Sequence, residues 1–173
     1  MESQKRCQYS IFKTRWGWFG ILGNEKGLLR TCLPIPFKEA IEQRLLSGTE
    51  GAAPAKNAYR DIEKQVLSYY EGRRVDFSDV PVCLDDLTSF QRKVLTALRT
   101  IRFGKTVSYG ELARMVKKPK ASRAIGTVMA RNPLPLIIPC HRIIKQDGSL
   151  GHFSAAGGSE TKKRMLDLEK WEK

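Results

Sequence analysis

The stretch Asn132-Pro-Leu-Pro-Leu-Ile-Ile-Pro-Cys-His-Arg-Ile-Ile144 constrains this chain more than any other. Pro133, Pro135 and Pro139 each remove a backbone donor and fix φ, so no helix can run through the segment. Leu134, Leu136, Ile137 and Ile138 nevertheless demand burial. A stiff, buried, non-helical run therefore delivers Cys140 to a fixed place near the interior, which suits a nucleophile. A single cysteine in apolar surroundings is usually an inert small hydrophobe. Here its neighbour is His141, one of only 2 histidines in the chain. A thiol of reference pKa about 8.5 needs a base or a positive field to supply thiolate near neutral pH. Adjacent side chains on an extended strand face opposite ways. Cys140 and His141 can therefore cooperate only through a turn or a bridging water.

Charge identifies the kind of partner. Of the formal net charge of +13, almost all is concentrated between Leu87 and Lys145, where thirteen Lys or Arg face one acid, Glu111; the remainder carries eighteen basic and seventeen acidic residues. A field this concentrated attracts a polyanion and releases its counterions, which points to nucleic acid. No stretch approaches the roughly 20 apolar residues of a membrane span. Met1 to Gln8 is polar, with no apolar signal region. Cys7, Cys32, Cys83 and Cys140 lie far apart without CxxC spacing, and no histidine accompanies the first three. The expectation is a soluble intracellular protein with free thiols, no membrane association, no metal and no disulfide framework.

The first part of the chain reads as strands and turns. Gln8 to Lys13 alternates, Trp16-Gly17-Trp18 reads as a turn or bulge, and Phe19 to Leu22 and Gly27 to Leu33 keep the β character. Helical apolar spacing follows over Phe37 to Leu46. Ser47 to Ala55 reads as a loop, and Ala58 to Tyr70 as a helix with Ile62, Val66 and Tyr69 or Tyr70 on one side. Pro81 to Leu87, where the charge pattern changes, is the linker.

Three helices are predicted beyond it. Thr88-Ser-Phe-Gln91 is a capping box opening a helix with Phe90, Val94, Leu98 and Ile101 on one face, and Ser108-Tyr-Gly-Glu111 repeats the signature. The third helix runs from about Ala121 to Arg131. It buries Ala121, Ile125 and Val128 and leaves Arg123, Thr127 and Ala130 on the other side. This is a helix-turn-helix plan. Small residues beside one long cation would let the backbone approach a DNA groove, with Arg123 reaching furthest.

Four separated motifs, Val107-Ser-Tyr109-Gly-Glu-Leu-Ala, Lys120-Ala-Ser-Arg123-Ala-Ile-Gly126, Asn132-Pro, and Pro139-Cys140-His141-Arg142-Ile143, occur here in order. From about Phe90 to Glu169 the sequence resembles the O6-alkylguanine-DNA alkyltransferases, and weakly so through the amino-terminal part. The resemblance implies an α+β fold. Residues 1–83 would form an amino-terminal α/β, ribonuclease H-like domain built on a small antiparallel sheet with helices. Residues 84–173 would form a mainly helical domain for DNA binding and transfer, with the helix-turn-helix and a short sheet carrying the cysteine.

The resemblance also implies roles. The alkyl group of O6-alkylguanine in duplex DNA would pass irreversibly to Cys140 after base flipping, once per molecule, without cofactor and in a monomer; O4-alkylthymine stays open as a second lesion. His141 would act as base through water, Glu169 would polarise His141, and Asn132 would tie the helix-turn-helix to the active-site loop. On this view the Cys140 thiol titrates well below its reference value. Arg123 would fill the space of the extruded guanine, and Tyr109 would help rotate it. Ala121, Ser122, Thr127, Ala130 and Arg131 would meet the DNA through the minor groove. Met129, Pro135 and Phe153 would wall the pocket, and Ser154 would hydrogen-bond the O6 atom. Phe153 stands where many family members have tyrosine, which keeps the ring face and removes a hydroxyl. Gly151 to Gly158 is less glycine-rich at its centre than the commoner pattern, and the stretch before Lys162 is slightly longer.

His152 reads as an exposed loop residue rather than a second base. A competing class is a non-catalytic DNA-binding protein that recognises alkylguanine; such proteins carry tryptophan in place of the cysteine, so Cys140 argues for transfer. A cysteine hydrolase would need a base from elsewhere in the fold, and His152 is the only other histidine. The expected location is the cytoplasm, with the nucleoid, in a prokaryote and the nucleus in a eukaryote.

Overall fold

A computed structural model describes residues 6–170, so residues 1–5 of the polar opening stretch lie outside the described residues. The chain divides into two units. The first holds residues up to Val75 together with Asp79–Cys83; the second holds Asp76–Ser78 and everything from Leu84 onward.

The first unit is built on β1 (Gln8–Thr14), β2 (Gly17–Asn24) and β3 (Gly27–Ile35), an antiparallel meander. Both connections are two-residue turns. Gly17 and Gly27 leave them at φ +128° and +134°, where a Cβ would collide with the backbone of Ile35 and of Pro81. α1 (Lys38–Leu46) follows, then β4 (Ala53–Pro54) and α2 (Arg60–Tyr70). β4 pairs parallel to β1, so the sheet is mixed, in the order β3-β2-β1-β4. Successive residues of β2 meet different helices. A Cβ at Gly20 would run into Ile41 and Leu45 of α1, while the Phe19 ring lies 6.2 Å from that of Tyr70 in α2. Adjacent strand residues face opposite ways, so both faces of the sheet are covered and Phe19 to Gly23 is buried without alternation. α1 ends on Arg30, whose Nη1 donates to the carbonyls of Leu45 and Ser47 at 2.6 and 2.8 Å.

The second unit begins with α3 (Ser89–Leu98) and, after β5 (Val107–Ser108), α4 (Tyr109–Met115). Both helices open with the predicted reciprocal capping boxes, Thr88 with Gln91 and Ser108 with Glu111, each worth about 1 kcal/mol. α5 (Ser122–Ala130) has Ala121 as its non-hydrogen-bonding cap and buries Ile125, Val128 and Met129. α4 closes in a Schellman turn: the N–H of Lys117 donates to Arg114 O and that of Lys118 to Ala113 O, both at 2.9 Å, with Lys117 left-handed at φ 59°. Beyond α5 come the 3-10 turn Cys140–Arg142, β6 (Ile143–Ile144), parallel to β5, and α6 (Gly158–Lys170). The cysteine thus stands in the turn just ahead of the short sheet. The core of this unit gathers Val94, Leu98, Leu112, Ile125, Leu134, Ile138 and Met165. Among the described residues, no helix is long and apolar enough to cross a membrane.

Candidate active site

Between α5 and Cys140 the chain makes no regular structure, and one side chain organises it. Asn132 accepts from Leu134 N–H at 3.0 Å and donates from Nδ2 to Ile138 O at 2.9 Å. Ile138 N–H closes a loop onto Leu134 O, and Leu136 at its apex takes φ 76°. Pro139 then adopts φ −80°, ψ 64°, an inverse γ-turn in which Cys140 N–H donates to Ile138 O at 2.8 Å. Ile138 O therefore receives both Asn132 and the backbone of Cys140, and the Asn132 amide lies near enough to the thiol to favour its charged form. Cys140 then opens the 3-10 turn Cys140–Arg142.

Behind Cys140 lies a fully buried ion cluster. His141 is 0% exposed, and its Nε2 stands 2.6 Å from Glu169 Oε1 on α6. Arg142 Nε reaches both carboxylate oxygens, at 3.0 and 3.2 Å, and Nη2 reaches Oε1 at 3.0 Å. Arg142 Nη1 donates to Ile101 O at 2.6 Å, and Gly104 N–H donates to Glu169 Oε2 at 3.1 Å. Burial alone would raise the Glu169 carboxyl, but the hydrogen bonds and charges of His141 and Arg142 outweigh it and hold it at about 2. Glu169 is therefore a carboxylate with no proton to give. Nε2 of His141 must donate to it, which leaves Nδ1 as the basic nitrogen. Burial pushes His141 below its ordinary value despite Glu169, so the ring is neutral at pH 7.

The thiol corrects the expectation from the sequence. Desolvation at 6% exposure pushes Cys140 above its ordinary value, and the Asn132 hydrogen bond and the charge of Lys162 offset this only in part. At rest Cys140 is a thiol. Its adjacency to a histidine does not by itself make a thiolate, because the histidine is neutral and the surroundings are apolar.

Lys162 is the residue that sequence reasoning passed over. It is 1% exposed, its Nζ lies 6.0 Å from the centre of the Phe153 ring, and it has no carboxylate partner among the described residues. Burial lowers its pKa to about 8, against the pull of Cys140. Lys162, Met165, Leu166 and Glu169 are the buried residues of α6, at i, i+3, i+4 and i+7, and this spacing is the signal that would have found it.

In front of Cys140 opens a cleft of about 750 Å³, the size of a small-molecule site. Cys140 is on its lining. Tyr109, Met129, Phe153 and Ser154 line it, and so do Ser122, Arg123, Thr127, Ala130 and Arg131 of α5 and its end. Gly126, Lys145, Gly151 and His152 join them, with His152 exposed. Pro135, expected as a pocket wall, bridges instead to Ile138 in the tight turn and is not on the lining, while Ala121, expected to meet DNA, is the cap residue of α5. The Tyr109 hydroxyl is raised above its ordinary value by burial and by Cys140. It lies so near Gly151 that a Cβ there would stand 3.3 Å from the oxygen.

This arrangement offers a protected nucleophile at an apolar cleft, a neutral base anchored on a permanent carboxylate, and cations at the mouth. The model for the 6-O-methylguanine DNA methyltransferase DNA-binding domain matches residues 89–171. The chain is 33% identical to the methylated-DNA--protein-cysteine methyltransferase of Mus musculus, over 95% of this chain and 82% of that protein. It is also 33% identical to the protein of the same name from Methanosarcina acetivorans, over 93% and 97%. Among solved structures, Mycobacterium tuberculosis O6-methylguanine methyltransferase superposes with TM-score 0.76 at 31% identity, covering 95% of this chain and 93% of that one. The same protein in complex with DNA gives 0.76 at 32% identity, covering 94% and 92%.

Proposed function

The chain belongs to the O6-methylguanine-DNA methyltransferase family and repairs DNA by direct alkyl transfer; we propose that Cys140 is the acceptor and that each molecule is consumed by one transfer. The observation that carries this reading is the position of Cys140, on the cleft in front and against the His141–Glu169 pair behind.

The reaction is an in-line displacement at the alkyl carbon. A C–S bond forms at Cys140 as the C–O6 bond breaks, and the proton lost by the thiol is replaced, in balance, by one gained on guanine. Because the resting thiol is protonated, thiolate forms only as the reaction proceeds. His141 takes the proton through water, and the fixed carboxylate of Glu169 stabilises the imidazolium without accepting the proton itself. Asn132 holds the sulfur, and Lys162 supplies positive charge beside it. An alkyl carbon on a stacked guanine is beyond the reach of a buried thiol, so the nucleotide must leave the duplex, at a cost of a few kcal/mol. Arg123 fills the vacated space, Tyr109 turns the nucleotide, Met129 and Phe153 enclose the base, and Ser154 hydrogen-bonds O6. The product thioether has no good leaving group, and no second nucleophile in the motif returns Cys140 to thiol.

The test is peptide mass analysis after incubation with duplex DNA containing O6-methylguanine. The peptide bearing Cys140 gains one methyl group, and Cys140→Ser binds DNA but transfers nothing. Label on Cys7, Cys32 or Cys83 instead would overturn the assignment.

A further inference from the structure

The turn between α4 and α5 carries a contradiction between its backbone and its side chain. Lys117 occupies the C′ position of a Schellman turn, with both of its hydrogen bonds formed and φ 59°. That position suits glycine, because a Cβ there crowds the neighbouring carbonyl. Lysine gives the fold nothing in return: Lys117 is exposed and makes no ion pair among the described residues, and the same holds for Lys118 and Lys120 beside it. The one acid between Leu87 and Lys145, Glu111, is committed to the α4 cap, accepting from Ser108 N–H at 2.6 Å. The turn feeds directly into α5, whose first residues, Ser122 and Arg123, line the cleft. Four residues lie between Lys117 and Ser122, so their Cα atoms lie within about 18 Å of each other. A lysine side chain there reaches the backbone of a duplex seated on α5.

We propose that Lys117 is a phosphate-contacting residue, and that the strained turn Lys117–Lys120 is a clamp on the DNA backbone beside the recognition helix. The proposal rests on the reading that this chain acts on duplex DNA. Backbone strain held in place for a ligand, with no compensating contact inside the protein, is the pattern of a functional position. Each phosphate neutralised releases counterions and steepens the dependence of affinity on salt by about 0.9 in logarithmic slope.

The experiment measures binding of the full chain to an unmodified duplex across a salt series, together with thermal unfolding, for the wild type, Lys117→Gly, Lys117→Ala and Lys56→Ala. Lys56→Ala removes the same charge from an exposed position in the first unit. Both Lys117 variants lose about 0.9 of slope, and Lys56→Ala loses none. Lys117→Gly raises Tm by about 2–4 °C through relief of strain, whereas Lys117→Ala, which keeps a Cβ, does not. All four react at the wild-type rate with free O6-benzylguanine. An unchanged slope in both Lys117 variants, or an equal loss in Lys56→Ala, overturns the phosphate contact. A lower Tm for Lys117→Gly overturns the claim of strain. A wild type without salt dependence sinks the DNA reading itself, which is a different result from failure of the clamp.

Discussion

Cys140 separates two regions that treat charge in opposite ways. Behind it, Glu169, His141 and Arg142 are buried and mutually satisfied, with the carboxylate also fixed by Gly104 N–H and the guanidinium by Ile101 O. In front of it, Arg123 and Arg131 stand exposed at the cleft and form no ion pair among the described residues. Lys162 lies between the two, buried yet without a carboxylate. The rear cluster pairs its charges within the protein, and in the proposed mechanism it positions His141 and receives the proton. The front is completed only by an anion, and duplex DNA supplies one.

Breaking the rear has the largest effect. Glu169→Gln keeps the shape but leaves Arg142 charged and uncompensated, which costs about 3–5 kcal/mol in denaturant unfolding. It also slows transfer on the order of 10²-fold, the scale of a misplaced general base. The acid limb of stability changes with it. The folded pKa of Glu169, about 2, lies below the unfolded value of about 4.3. Its contribution is therefore fully present above that unfolded value and is lost as pH falls toward 2. In the variant this dependence disappears, and a variant as stable as the wild type at neutral pH would show that the cluster is not the anchor.

At the front the effect depends on the substrate. Arg123→Ala slows repair of duplex DNA by about 10- to 100-fold while leaving reaction with free O6-benzylguanine unchanged, because only the duplex requires extrusion at a few kcal/mol. Equal losses on both substrates would place Arg123 in the chemistry rather than at the DNA.

Lys162→Met tests the group between the two regions. Transfer falls by about tenfold or more, the equivalent of one pKa unit of lost support for the thiolate. The folded pKa of Lys162, about 8, lies below the ordinary lysine value of 10.5. The unfolded chain therefore binds more protons between those values, and stability gains from this group as pH rises through that window. Unfolding measured across alkaline pH loses that gain in the variant; an unaltered profile would place the ammonium in water.

The smallest effect concerns the free protein. Alkylation of Cys140 by a small reagent follows a pH midpoint above the ordinary thiol value, and Asn132→Ala raises it further by removing a bond that favours thiolate. A midpoint below 7 would mean that the rear cluster activates the sulfur before DNA arrives.

Much of this was legible in the sequence, and the gaps have physical causes. The capping boxes at Thr88 and Ser108 announce their helices because both halves of each reciprocal hydrogen bond are written three residues apart. The three prolines announce a rigid approach to Cys140. What they could not specify is the shape: Asn132 bracketing the loop, Leu136 left-handed at its apex, and the γ-turn at Pro139 depend on contacts rather than residue type. β4 went unread as part of a loop because two residues, Ala53 and Pro54, carry no alternation. The direction of the Cys140 shift was misjudged because a neighbouring histidine is visible in sequence and desolvation is not. Lys162 was overlooked although it shares the buried face of α6 with Glu169, since a lysine at a core position reads as a solvated charge until its partners in the spacing are counted.

The most direct measurement is a titration of the protein with excess duplex DNA carrying O6-methylguanine, following restored guanine to completion. The account requires a plateau at one lesion per protein molecule, because the thioether at Cys140 cannot be reopened. Restoration that continues past equivalence would contradict it.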